Sequence, residues 1–279
     1  MLWGTEAAID HLSSSQINLF LLCGLKYRYQ YVEKRPKPFR SSGLAFGAAL
    51  HSTISWVHRQ EMEGKKVSPD MVLRIFDADW YSQQTDEQIR FKDNERELGL
   101  IILGKQMLQM FLEEPRKPVK GTEVPFTIPL VNQRTKENLG ITLEGFFDVI
   151  GSDDTITDYK TSASTMSQDD VDNHLQLTAY GYAYEQLFHK PPKGFRIVNF
   201  VKNKKPKIAT FKTERSSASY EAFFFLVKEV LKAIKAGTFH PRPGYWCKDC
   251  EYRDACPLWK SVDAKEKATV EEGVLADGR

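Results

Sequence analysis

Apolar and polar positions along this chain switch between a period of two and a period near 3.6, so strands and helices are both expected. The clearest period-two stretch is at the centre. Residues 141–150 and 155–161 are rich in β-branched and aromatic side chains, and Gly151-Ser-Asp-Asp154 between them is turn chemistry, which predicts a tight hairpin. Residues 122–131, TEVPFTIPLV, precede it across the polar loop NQRTKENLG and make the first strand of a three-strand meander ending at Thr161. Helical spacing flanks this sheet. Ser13 to Ser15 cap a short helix carrying Ile17, Phe20 and Leu21, which should deliver Cys23 near its end, with Gly24 breaking it. Residues 43–63 open with Gly43, Gly47, Ala48 and Ala49, small enough for a close helix approach, and continue to His51, Ile54 and Trp56. Two or more helices fill 69–114, from Pro69 in a first turn to the stop at Pro115 and Pro118. A helix over about 169–187 places Gln176 and Tyr180 on one face. Strands at 194–201 and 206–212 follow, then a helix over about 216–236 ending at Gly237. Residues 261–279 have no period and are expected to fray.

Composition narrows the picture only a little. The 279 residues, 41% hydrophobic and 27% charged, suit one large domain or two small ones. No run of 18 apolar residues occurs and the first residues lack a basic-then-apolar order, so a soluble, cytoplasmic protein with no membrane contact is expected. A net charge of +2 does not mark a nucleic-acid binder, but local clusters do more. Lys26, Arg28, Lys34, Arg35, Lys37 and Arg40 interleave with Tyr27, Tyr29 and Tyr31, which suits either a single-stranded backbone or a solvated helix face with tyrosines in the core. Lys202, Lys204, Lys205 and Lys207 crowd a second turn, as a phosphate-contacting patch or plain soluble surface. Gly99 to Lys105 imitates a phosphate loop, but Gln106 stands where Ser or Thr is required and the stretch is apolar and helix-forming, so no nucleotide site is expected.

The chemistry concentrates in the hairpin. With period two, Glu144, Phe146 and Asp148 share one face of its first strand, and Ile156, Asp158 and Lys160 share one face of its second. A loop of Ser152 to Asp154 pairs Gly151 with Thr155 and sets Asp148 opposite Asp158. Facing carboxylates repel, and a divalent cation of the Mg²⁺ or Mn²⁺ type reverses that penalty. Lys160 then projects toward whatever the metal holds. His51 is a ligand candidate or a packed helical histidine, and Glu144 either hydrogen-bonds near the site or faces solvent. The four cysteines are Cys23 and a C-x2-C-x5-C group, Cys247, Cys250 and Cys256, bracketed by Pro241, Pro243, Gly244 and Pro257. Reduced thiols at that spacing bind metal, as structural zinc or as an iron–sulfur cluster.

Asp148 followed by Asp158-Tyr-Lys160 resembles the D…(D/E)xK signature of the PD-(D/E)XK nucleases. GLAFGAALHSTI around His51, QLTAY from Gln176 to Tyr180 and the cysteine triad make it similar to the RecB-like branch, over about residues 13–259. The resemblance implies an α/β fold: a restriction-endonuclease-like core with a mixed central sheet flanked by helices, a helical insertion and an iron–sulfur staple. It implies one nuclease domain over 1–260, with the insertion at about 60–118, residues 240–259 closing onto Cys23, and a polar tail at 261–279. It further implies that His51, Asp148, Asp158 and the Tyr159 carbonyl hold Mg²⁺ or Mn²⁺, and that Lys160 acts in catalysis. Glu123 would add a carboxylate, and Gln176 and Tyr180 would engage the substrate strand. Cys23, Cys247, Cys250 and Cys256 would hold a 4Fe-4S cluster in preference to zinc, as in AddB-type subunits and CRISPR-adaptation nucleases. One departure is Gly24, where the family commonly has proline after the first cysteine. The implied activity is exonucleolytic hydrolysis of single-stranded DNA in repair, recombination or CRISPR-adaptation-like processing, with a helicase or CRISPR-adaptation proteins as partners. A partner-dependent nuclease subunit and a non-catalytic iron–sulfur DNA-binding protein are the alternatives.

Overall fold

The β-branched run from Gly194 to Val201 forms β7 (Gly194–Val201), the strand that ties the central hairpin to the rest of the sheet, in a computed structural model describing residues 9–85 and 88–258. The expected tail at 261–279 lies outside the described residues. In chain order the elements begin with β1 (His11–Ser13), α1 (Ser14–Leu22) and α2 (Gly24–Tyr27). β2 (Arg40–Ser41) and α3 (Ser42–Met62) lead into α4 (Pro69–Ser82), β3 (Ile89–Arg90) and α5 (Glu97–Glu113). The meander is β4 (Val119–Val131), β5 (Asn138–Gly151) and β6 (Thr155–Ser162). α6 (Gln168–Asp172) and α7 (Leu175–Phe188) cross over to β7, followed by β8 (Lys207–Thr213) and α8 (Ser217–Lys235). Among the described residues no helix is long and apolar enough to cross a membrane.

The six-stranded sheet is mixed, in the order β1-β5-β6-β7-β8 with β4 on β5. β6 and β7 run parallel, so the chain needs a crossover between them, which α6 and α7 supply. Alternation along β6 sends Ile156 to one face and Tyr159 to the other. One face packs against α1, α7 and α8 through Ile17, Tyr184 and Val227; the other packs against α3, α4 and α5 through Phe46, Phe76 and Met107. The hairpin register is the expected one: Val149 pairs with Thr157 and Ile150 with Ile156, which sets Asp148 against Asp158. Asp154 takes φ 66° in the loop, a left-handed conformation that Asp tolerates.

Three expectations are corrected. The first strand of the sheet is β1 rather than 122–131; three residues pairing parallel with Thr142–Glu144 are too short for a periodicity signal. Gly24 does not break the first helix. Cys23 does, with φ −163°, and the helix restarts at Gly24, where an added Cβ would lie 3.2 Å from the His240 carbonyl oxygen. The helix expected over 169–187 breaks at Asn173 and His174, where the Arg215 guanidinium donates to the carbonyls of Val171 and His174. Of the two readings open for the basic stretch at 26–40, burial selects core for Tyr27 and Tyr29, which pack against Phe20 and Tyr252 respectively.

Candidate active site

At Tyr159 the β5–β6 ladder gives way to side chains. The Tyr159 N–H donates to Asp148 Oδ2 at 3.0 Å, and the Tyr159 carbonyl accepts from His51 Nε2 at 3.0 Å. His51 Nε2 also lies 2.9 Å from Asp148 Oδ2; facing two acceptors, it carries the proton. From Asp158 a continuous path runs across α7. Lys160 Nζ donates to Asp158 Oδ1 at 2.9 Å and to Gln176 Oε1 at 2.7 Å. The Gln176 amide donates to the Tyr180 hydroxyl at 2.6 Å, and Tyr180 donates to Asp148 Oδ1 at 2.9 Å. Strand period two brings Asp158 and Lys160 to the α7 face, and the four-residue helical spacing stacks Gln176 on Tyr180.

Electrostatics separates the two acids. Burial raises the Asp148 pKa, but the His51 hydrogen bond and charge and the Lys160 charge outweigh it and hold the group ionised. Asp158 is fully buried, and burial pushes its pKa well above the ordinary value; Lys160 opposes that shift and the Asp148 charge adds to it. Burial pulls His51 down, yet hydrogen bonds to Asp148 and Glu123 lift it to about 10. The second negative charge of this pair is thus disfavoured until positive charge is supplied. Asp158 Oδ2 is buried with no hydrogen-bond partner, an orphaned carboxylate oxygen aimed into the site. In donor chemistry, that orphan with Asp148 Oδ2 and the Tyr159 carbonyl makes an all-oxygen set of the kind a hard divalent cation takes. Among the described residues no three His, Cys, Asp or Glu side chains already converge on a metal-holding point.

The profile of the PD-(D/E)XK nuclease superfamily matches residues 11–257. The chain belongs to this superfamily. Comparison with curated proteins returned no match. Among solved structures, a Eubacterium rectale protein provisionally named an exonuclease superposes with a TM-score of 0.52 at 13% identity, over 90% of each chain. SSO0001 superposes with a TM-score of 0.43 at 13% identity, over 90% of this chain and 87% of its own, too loosely to argue from.

In this PD-(D/E)XK nuclease, Glu123 reaches the site by a strained route. It takes φ 49°, within a β4 that is otherwise extended, and its carboxylate lies 3.5 Å from His51 Nδ1 and 3.4 Å from the Ser55 hydroxyl. Such a left-handed non-glycine residue costs about 1–3 kcal/mol and persists only where its surroundings over-determine it. Ser55 also meets Thr122 Oγ1 at 2.8 Å, and that hydroxyl donates to the Asp148 carbonyl at 3.0 Å. Glu144 is not drawn in; its carboxylate accepts from Thr142 on its own strand.

Sequence reasoning missed His58, two turns beyond His51. Its Nε2 lies 2.8 Å from the Tyr159 hydroxyl, its ring stacks on Tyr159 at 27°, and its Nδ1 lies 3.5 Å from Glu61, which Arg116 holds from the other side at 2.5 Å. The heptad spacing from His51 was the available signal. The four cysteines, all free, line one cavity of about 390 Å³ together with Leu22, Leu25 and Trp246. Burial raises the Cys250 thiol pKa. Four thiols on a mostly apolar wall fit a thiolate-bound metal group in donor chemistry.

Proposed function

We propose that this nuclease is a Mg²⁺- or Mn²⁺-dependent deoxyribonuclease of the RecB-like branch, acting chiefly as an exonuclease on single-stranded DNA. The observation that carries the reading is the orphaned Asp158 Oδ2, buried beside an ionised Asp148 and closed into one hydrogen-bonded path with Lys160, Gln176 and Tyr180. Asp148, Asp158 and the Tyr159 carbonyl would hold the cation, joined by His51 once the incoming positive charge displaces its Nε2 proton, with Glu123 as a further carboxylate. Bound there, the ion would polarise the scissile phosphate and lower the pKa of a coordinated water. Lys160, oriented by Asp158 and Gln176, positions the attacking water and offers positive charge where the phosphate gains negative charge. Gln176 and Tyr180 orient the strand. Cys23, Cys247, Cys250 and Cys256 would hold a 4Fe-4S cluster, zinc being the alternative with the same donors. Bound by these thiols, a cluster would serve a structural role, joining the two ends of a single nuclease domain over 1–260 in which α4 and α5 form a helical insertion. The resemblance of the cysteine motif to those of AddB-type subunits and CRISPR-adaptation nucleases supports a role in DNA repair, recombination or adaptation-like processing in the cytoplasm, with a helicase or adaptation proteins as partners.

The test is digestion of 5′- and 3′-end-labelled single-stranded and duplex DNA by anaerobically purified protein with Mg²⁺ or Mn²⁺. Lys160→Ala and Asp148→Ala are expected to lose activity by about 10²–10⁴-fold while retaining fold and bound iron. Equal inactivity of all three proteins, with DNA binding intact, would replace this reading by a partner-dependent subunit or a binding protein.

A further inference from the structure

A groove of about 720 Å³ runs from His51, Tyr159 and Lys160 to two rings on the cysteine-bearing segment, Tyr245 and Trp246. Resting on the nuclease reading, we propose that these rings form a base-stacking face that makes the groove selective for a single strand. Tyr245 is 84% exposed, which leaves its ring open to solvent. Its ring meets Trp246 edge-on, with centroids 5.2 Å apart. Trp246 is fixed in turn: its Nε1 donates to the Arg242 carbonyl at 3.2 Å, and the Arg242 guanidinium lies 5.5 Å from the indole centroid. Gly244 is part of the construction. A Cβ there would lie 2.3 Å from the indole, so the ring can rest over the backbone only because residue 244 has no side chain.

The groove supplies the other half of single-strand chemistry. Arg90 and Lys92, beside β3, and Lys202, after β7, line it with Phe39 and Phe91. The acid nearest Lys202 is Glu95 at 3.9 Å, while Glu251, the buried acid of this wall, is already paired with Lys26 at 2.5 Å. Cations along a groove that ends in an exposed tyrosine ring beside a half-buried indole suit a strand whose bases are free to stack; a duplex keeps its base faces stacked inside. Trp246 also lines the thiol cavity, and one 3-10 turn, Tyr245–Asp249, carries both rings and Cys247. The stacking face and Cys247 therefore share one short turn.

Fluorescence anisotropy without added divalent cation tests this, using labelled oligothymidylate and an abasic oligomer of equal phosphate count with the wild type, Tyr245→Ala and Tyr245→Phe. The wild type is expected to bind the base-bearing strand about tenfold more tightly than the abasic one. Tyr245→Ala should erase most of that preference, and Tyr245→Phe, which keeps the ring, should retain it. A wild type indifferent to the bases, or a Tyr245→Ala variant with the full preference, would overturn the proposal. Cleavage is assayed separately with Mn²⁺: base preference without cleavage would retire the nuclease reading alone, and cleavage without base preference would retire the stacking face alone.

Discussion

Tyr159 is the residue at which α3, β5 and β6 are locked together. Its N–H serves Asp148, its carbonyl serves His51, and its hydroxyl meets buried His58. Tyr159→Phe leaves the backbone contacts in place but strands His58 Nε2 in the core, an expected loss of about 1–3 kcal/mol in a urea titration. Glu61, the next group outward, has its pKa lowered to about 2, chiefly by the His58 hydrogen bond and further by Arg116, against burial. The ordinary value is 4.5, so the unfolded chain takes up this proton first as pH falls. The Glu61 contribution is thus fully present above about 4.5 and is lost as pH falls through about 2. Acid unfolding followed by circular dichroism should be less steep across that window in Glu61→Gln than in the wild type.

At the scale of elements, the contact between α4 and α5 is set by Gly104. An added Cβ would lie 2.2 Å from the Phe76 ring, closer than side chains pack. Gly104→Ala would gain about 1 kcal/mol of helix propensity, yet forcing Phe76 aside costs about 1–3 kcal/mol, so net destabilisation is expected. A lowered denaturant midpoint with unchanged slope would bear this out. The phosphate-loop imitation at 99–105 lies inside α5, where from Leu100 onward the N–H groups are spent on helix hydrogen bonds.

Over the whole molecule, the two ends of the core meet at the cysteine segment. Leu25 N–H donates to the His240 carbonyl, Tyr29 to the Ala255 carbonyl, Tyr252 to the Arg35 carbonyl and Arg242 to the Leu21 carbonyl. A thiolate-bound group across Cys23 and the triad would add to these bonds by restricting the unfolded chain. Under the proposed assignment, Cys23→Ser should melt at lower temperature than the wild type. An iron and zinc chelator should bring the wild type down to the variant's level and leave the variant unmoved.

What the sequence alone determined was local. Turn chemistry at 151–154 and period two in the flanking strands were enough to set Asp148 against Asp158 and to put Lys160 on the same face, because register follows from loop length and pleat. The four-residue spacing of Gln176 and Tyr180 placed both on one helix face for the same reason. Tertiary structure decided everything that depends on which surfaces meet. It turned Glu123 into the site through a left-handed backbone inside a strand, put His58 behind Tyr159, buried the tyrosines at 27 and 29, and set Arg215 on the carbonyls at the break between Asn173 and His174. It also brought Cys23 to the distant triad and set Trp246 between the thiols and the groove. Contacts across such sequence separation depend on how whole faces pack, and no window of neighbouring residues encodes that.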